Sequence, residues 1–193
     1  MTRKSHNQPT APYHQIRATF TDSTIVVYQA YKSSIADAAI RTQSLNVLEF
    51  NPDRMTWVKP SFRWMLYRSG WARKENQERI LAIHLTREAW EQALSWSGLK
   101  KDNACVRIQW DPERDIKFEP LPWRSIQVGL SGVAVKEGLL GAWTVKIEDA
   151  TDVAIEIGKL VDAGHLEEAE RLLPAERVYE FLDDNARIAC NAC

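Results

Sequence analysis

Ser23-Thr24-Ile25-Val26-Val27-Tyr28-Gln29-Ala30-Tyr31, continued at once by Lys32-Ser33-Ser34, decides how the chain begins to fold. β-Branched and aromatic side chains fill most of the first nine positions, and such side chains suit a pleated, half-buried surface. Ser33 or Ser34 can then cap a helix running to about Leu45, with Ile35, Ala38, Ala39 and Leu45 near one face. The strand passes directly into the helix. Asn51-Pro52-Asp53 reads as a turn. Pro60 opens a short helix, Ser61 to Arg68, which Gly70 ends. Arg79 to Leu85 alternates as a strand, with Leu81, Ile83 and Leu85 on one face. Thr86 caps the next helix, with Glu88 in its first turn and Gly98 just past its end.

Three more strands are predicted, at Ala104–Trp110, Trp123–Leu130 and Ala142–Ile147, with Asp111-Pro112-Glu113-Arg114 as a turn after the first. The remainder reads as helical. Thr151 caps a helix that ends before Gly164, a second runs to Leu173, and Pro174 sits where a third would start. Strands come first and helices cluster last. That order predicts an α+β fold: a mixed or antiparallel sheet core with flanking helices and a C-terminal helical segment. The expected organisation is a disordered N-terminus over 1–12, a core domain over 13–150, C-terminal helices packed on the core over 151–185, and a tail over 186–193.

A chain of 193 residues, 45% of them apolar, can bury a core without disulfide or metal staples. Three cysteines are an odd number, which argues against a disulfide framework. No apolar run approaches the roughly 18 residues of a membrane span. The polar start, with Arg3 and Lys4 but no apolar stretch, does not read as a secretory signal, so a cytoplasmic setting is expected. The net charge of −1 hides an asymmetry: residues 148–193 hold 12 acidic and 4 basic side chains, a balance of −8, leaving +7 on residues 1–147. A basic front suits a phosphate-bearing ligand.

That charge concentrates in residues 54–79. Arg54, Lys59, Arg63, Arg68, Arg73, Lys74 and Arg79 are interleaved with Trp57, Phe62, Trp64, Tyr67 and Trp71, and only Glu75 and Glu78 oppose them. Cations that hold phosphates beside rings that stack on bases are what a nucleotide or single-strand site requires. Ser61 and Ser69 stand beside helix ends, where hydroxyls and free N–H groups can meet an anion. The alternative is that the rings are core, with arginine stems lying over them. Trp123-Arg124-Ser125-Ile126-Gln127 repeats the same chemistry. Alternation puts Trp123, Ser125 and Gln127 on one face and Arg124 on the other, so Arg124 and Gln127 cannot both reach one site without a bulge or strand end.

Other motifs carry less. Cys190-Asn191-Ala192-Cys193 is half a zinc set and reads as a frayed tail, and Cys105 reads as a buried strand residue. His6, His14, His84 and His165 have no metal-ligand spacing. Glu148, Asp149 and Asp152 suit the positive end of a helix. P-loop, dinucleotide-fold and hydrolase-elbow motifs are missing from the sequence.

The 54–79 stretch, with Arg17-Ala18, Val27-Tyr28-Gln29-Ala30-Tyr31, Gln77-Glu78 and Arg124-Ser125-Ile126-Gln127-Val128-Gly129-Leu130, resembles the domain of unknown function 4291 family from about residue 13 to residue 155. That resemblance implies no activity. A strand ending in Gln29 and passing straight into a helix is also similar to the opening of ADP-ribosyltransferase-like folds. The second resemblance implies NAD as cofactor, with Arg17 or Gln29 on ribose or phosphate, Tyr67 or Trp71 stacked on nicotinamide, and Glu78 or Gln127 at the late acidic position. The recognised triads of that superfamily do not appear plainly.

The expectation is therefore a nucleotide-binding, ADP-ribosyltransferase-like enzyme. Lys59 and Arg68 hold phosphates, and Trp64 and Tyr67 stack. Gln29, Glu78 or Gln127 steadies a developing positive charge. Arg17, Tyr28, Ser61, Ser69, Trp71 and Arg124 complete the pocket. On this reading the cations and rings of 54–79 share one cavity. A non-catalytic module for RNA or single strands is the second reading, and a protein-interaction surface the third.

Overall fold

The computed structural model describes residues 13–97 and 105–193. The expected disordered N-terminus over 1–12, the Gly98 helix end and the strand start at Ala104 lie outside those residues. In chain order the elements are β1 (Arg17–Ala18), β2 (Thr24–Tyr31), α1 (Ser33–Thr42), β3 (Thr56–Val58), α2 (Phe62–Ser69), β4 (Arg79–Thr86) and α3 (Arg87–Trp96). Then come β5 (Val106–Arg114), β6 (Pro120–Leu130), a wide-turn helix at Ala134–Ala142, β7 (Thr144–Asp149), α4 (Thr151–Asp162), α5 (Leu166–Arg171), β8 (Arg177–Val178) and α6 (Asp184–Ala189).

The fold is α+β, with every ladder antiparallel. One three-stranded sheet has the order β2-β4-β7, a second the order β3-β6-β5, and β1 pairs with β8. A backbone bridge links the two larger sheets. Tyr28 N donates to Lys59 O at 2.6 Å, and Lys59 N donates to Tyr28 O at 3.1 Å.

β2 and β4 are apolar on both faces because each face feeds a different core. Ile25, Val27, Leu81 and Ile83 join Trp90 of α3 and Ile126 and Val128 of β6 in one cluster. Val26, Tyr28, Ile80 and Ala82 join Phe62, Met65 and Leu66 of α2 and Ala154 and Ile157 of α4 in the other. The caps follow local chemistry. Ser61 Oγ accepts from Trp64 N at 3.2 Å, Gly70 ends α2 in the left-handed region at φ 59, and Thr86 Oγ1 accepts from Ala89 N at 3.2 Å.

The structure corrects several expectations. Asp111-Pro112-Glu113-Arg114 is not a turn: β5 runs through it, and the chain reverses over Asp115–Glu119. β5 is an edge strand with a register shift between Pro112 and Arg114, where a proline is tolerated. Lys32, not Ser33 or Ser34, precedes α1, and no side chain caps it. Thr151 opens α4 rather than capping it, and its hydroxyl accepts from Ile80 N at 3.0 Å. The region after Pro174 begins with β8, not a helix. The C-terminal Cys-x-x-Cys is not frayed. Cys190 is 2% exposed, Ala192 lies in the main core, and Cys193 N donates to His14 O at 2.7 Å. Among the described residues no helix is long and apolar enough to cross a membrane.

Candidate functional site

The β3-β6-β5 sheet presents one face in rows. Trp57 and Arg107 both pair with Gly129, Gln109 pairs with Gln127, and Asp111 pairs with Ser125. These side chains alternate with Val58, Ile108, Ile126 and Val128, which lie in or pack against the main core. Gly129 is required here. A Cβ would lie 2.9 Å from the Trp57 ring and 2.8 Å from Met55 Sδ, so the indole rests on the strand itself.

α2 supplies side chains to this face. Arg68 Nη1 donates to Gln127 Oε1 at 3.1 Å, and Gln127 Nε2 donates to Gln109 Oε1 at 2.9 Å. Lys59, wholly buried, sits with Nζ 3.6 Å from the Trp64 ring centre and donates to Asp111 Oδ2 at 3.1 Å. Burial pulls its ammonium down to about 8, while Asp111 holds it up. Burial also lowers the Arg68 guanidinium from its ordinary value, with Asp111 opposing and Arg54 adding to the effect. Among the described residues no carboxylate forms an ion pair with Arg54, Arg68 or Arg107. Three guanidiniums outside any ion pair therefore accompany Trp57 and Trp64, with Asp111 near enough to Arg68 to favour its charge.

The other expected site residues divide. Tyr28 is 3% exposed, its ring 4.9 Å from Phe62, and burial raises its phenol above the ordinary value, so it belongs to the core. Ser61 is the α2 cap, and Ser69 donates to Met65 O at 2.9 Å. Both hydroxyls thus serve α2 itself, and Phe62 N at the helix start donates to Glu176 Oε1 at 2.7 Å. Tyr67 and Trp71 both pack on Phe118, Trp71 in a stack at 4.0 Å, and Arg114 lies over Tyr67. Arg124 reaches back to Tyr13 and to Trp110 O, on the face opposite Gln127. Gln29 shares a β2 face with Tyr31, and its Oε1 is enclosed without a hydrogen-bond partner among the described residues. Glu78 stands just beyond the Tyr31–Arg79 pair, with Oε1 held by Asn76 N and Oε2 enclosed and without a hydrogen-bond partner among the described residues.

The cations and rings of 54–79 thus do not share one cavity. Arg63, Arg73 and Arg79 pair with Glu170, Asp162 and Asp149, each on or before a C-terminal helix. Arg17 lies elsewhere, in a cavity of about 540 Å³ at the other end of α2, with Arg63, Glu113, Trp123, Glu170 and Glu176. The sequence reading misses Arg107, Gln109, Asp111 and Glu113 as site residues. Their alternation with Val106, Ile108 and Trp110 is a usable signal, but the Asp-Pro pair reads as the strand's end.

The fold and its basic, aromatic sheet face define an α+β protein of two three-stranded antiparallel sheets joined at Tyr28 and Lys59. The chain belongs to the family described as Domain of unknown function (DUF4291), whose match covers residues 15–179. No curated protein and no solved structure matches it.

Proposed function

We propose that this protein binds a nucleotide on the β3-β6-β5 face, in a cytoplasmic setting. The observation that carries the reading is the convergence of Arg54, Arg68 and Arg107, all without carboxylate partners among the described residues, beside Trp57 and Trp64. Guanidiniums outside any ion pair can take a phosphate, and an indole resting on a glycine offers a flat face to a base. Lys59, which the sequence assigns to phosphate, instead serves Asp111 and the Trp64 ring.

NAD is the dinucleotide to test first. Loss of nicotinamide leaves a cation-like ribose, which an aimed oxygen stabilises more than the ground state. Of the oxygens expected in that role, Gln127 is committed to Arg68 and Gln109, whereas Gln29 Oε1 and Glu78 Oε2 have no hydrogen-bond partner among the described residues but are enclosed, so a local opening must uncover either one before it meets the ribose. A non-catalytic single-strand binder is the second reading. The exposed side chains of Arg107 and Gln109 on the edge strand favour it, because a longer strand could continue past them.

A thermal-shift panel of NAD, ADP, AMP and a short RNA separates these. NAD or a mononucleotide raises the Tm of the wild type, and Arg68→Ala lowers affinity roughly tenfold, about 1.4 kcal/mol. A shift from RNA alone, steeply lost with added salt, selects the second reading. No shift from any of the four ends the proposal.

A further inference from the structure

The cavity at the start of α2 combines unlike charges that do not cancel. Its walls come from β1, α2, the β5–β6 hairpin and the segment after α5. Arg63 and Glu170 neutralise each other through two hydrogen bonds, at 2.8 and 2.5 Å. Arg17 has no such partner. Its Nε donates to the neutral Gln15 Oε1 at 3.0 Å, leaving the terminal nitrogens without an ion pair among the described residues. Glu113 is 4% exposed and lines the same cavity. One of its oxygens accepts from Arg114 N at 2.9 Å, and the other meets no donor among the described residues. Asp115 adds a second carboxylate, with one oxygen held by the backbone of Lys117 and Glu119. Glu176 contributes little charge near neutral pH, because burial, with Glu113 close by, pushes its carboxyl up to about 8. Between the charges lie the Trp123 indole, with the Arg17 guanidinium 5.9 Å from its ring centre, and the side chains of Leu121 and Leu173.

The second oxygen of Glu113 is not enclosed by protein and has no donor among the described residues, so it is open to water or to a ligand. The half-buried guanidinium of Arg17, outside any ion pair among the described residues, is available to an anion in the same cavity. We infer that this cavity is a second ligand site, built for a free basic amino acid of the arginine type. Its α-carboxylate meets Arg17, its cationic end meets Glu113 and Asp115, and its aliphatic stem lies on Trp123 and Leu121. The excess of carboxylate over guanidinium, once the Arg63–Glu170 pair is set aside, selects a ligand of net positive charge over a neutral or acidic one. The side chains of this cavity differ from those of the nucleotide face, so either site can fail without the other.

Calorimetric titration of the full chain with L-arginine, agmatine, citrulline and L-glutamate tests it. L-Arginine binds the wild type, and agmatine, which lacks the carboxylate, binds roughly tenfold more weakly. Citrulline, which lacks the cation, loses at least as much, and L-glutamate does not bind. Arg17→Met removes the advantage of arginine over agmatine, whereas Glu113→Gln weakens both. A thermal melt of each variant without ligand reports whether it has folded. The comparison of arginine with agmatine on the wild type decides the matter even if a variant has not. Equal binding of the two, binding of glutamate in preference to arginine, or no arginine binding at millimolar concentration would overturn the assignment.

Discussion

Glu176 closes the first turn of α2 with one carboxylate oxygen and lines the Arg17 cavity. It takes up a helix N–H at the start of α2, which Ser61 and the preceding proline make look like an anion site. Sequence could not show this, because a residue 114 positions away supplies the contact. The same group makes stability depend on pH. Its folded value, about 8, lies above its ordinary 4.5, so the folded state holds the proton more tightly. The resulting stabilisation is complete below pH 4.5 and is lost as pH rises through the window to 8. Denaturant melts from acid to mildly basic pH should show this decline in the wild type and a flatter profile in Glu176→Gln. Equal profiles in the two proteins would remove Glu176 as the source. Lys59 has the opposite sign: its folded value lies below the ordinary 10.5, so its contribution improves as pH rises from 8 toward 10.5.

The β5–β6 pair holds most of what the candidate face displays. β6 was legible because Trp123 to Leu130 alternates cleanly, and the expected division of Gln127 from Arg124 comes from that pleat. β5 was half legible. Pro112 imitates a turn residue, and only its place on a sheet edge lets the strand continue. The Ala134–Ala142 helix was missed because Gly138 and Gly141 resemble loop punctuation. Gly138 is in fact a packing residue, since a Cβ there would lie 2.6 Å from the Trp143 ring. Gly129 plays that part in β6. Gly129→Ala should cost about 1–3 kcal/mol in a chemical melt, because Trp57 must leave its seat on the strand. On the nucleotide reading it should also weaken nucleotide binding. An alanine variant with unchanged stability would mean that the indole does not rest there.

Across the whole molecule, the charge asymmetry read from the sequence has a structural use. Arg63, Arg73 and Arg79 from the basic segment meet Glu170, Asp162 and Asp149 from the acidic C-terminal part. Those pairs are partly exposed and individually weak, but they set three cations apart from Arg54, Arg68 and Arg107, which form no ion pair among the described residues. The α+β class was legible from the order of strands and helices. The way in which two sheets share Tyr28 and Lys59, and in which the C-terminus returns to His14 and Trp110, was not, because those contacts join distant segments.

The indole N–H signals of the eight tryptophans give the most direct test of the nucleotide face. Titrating NAD or ADP while recording their NMR resonances should move the Trp57 and Trp64 signals, leave Trp90 in the core unmoved, and spare Trp123 in the separate cavity. Movement confined to Trp123, or no movement of Trp57 and Trp64 at saturating nucleotide, would contradict the account.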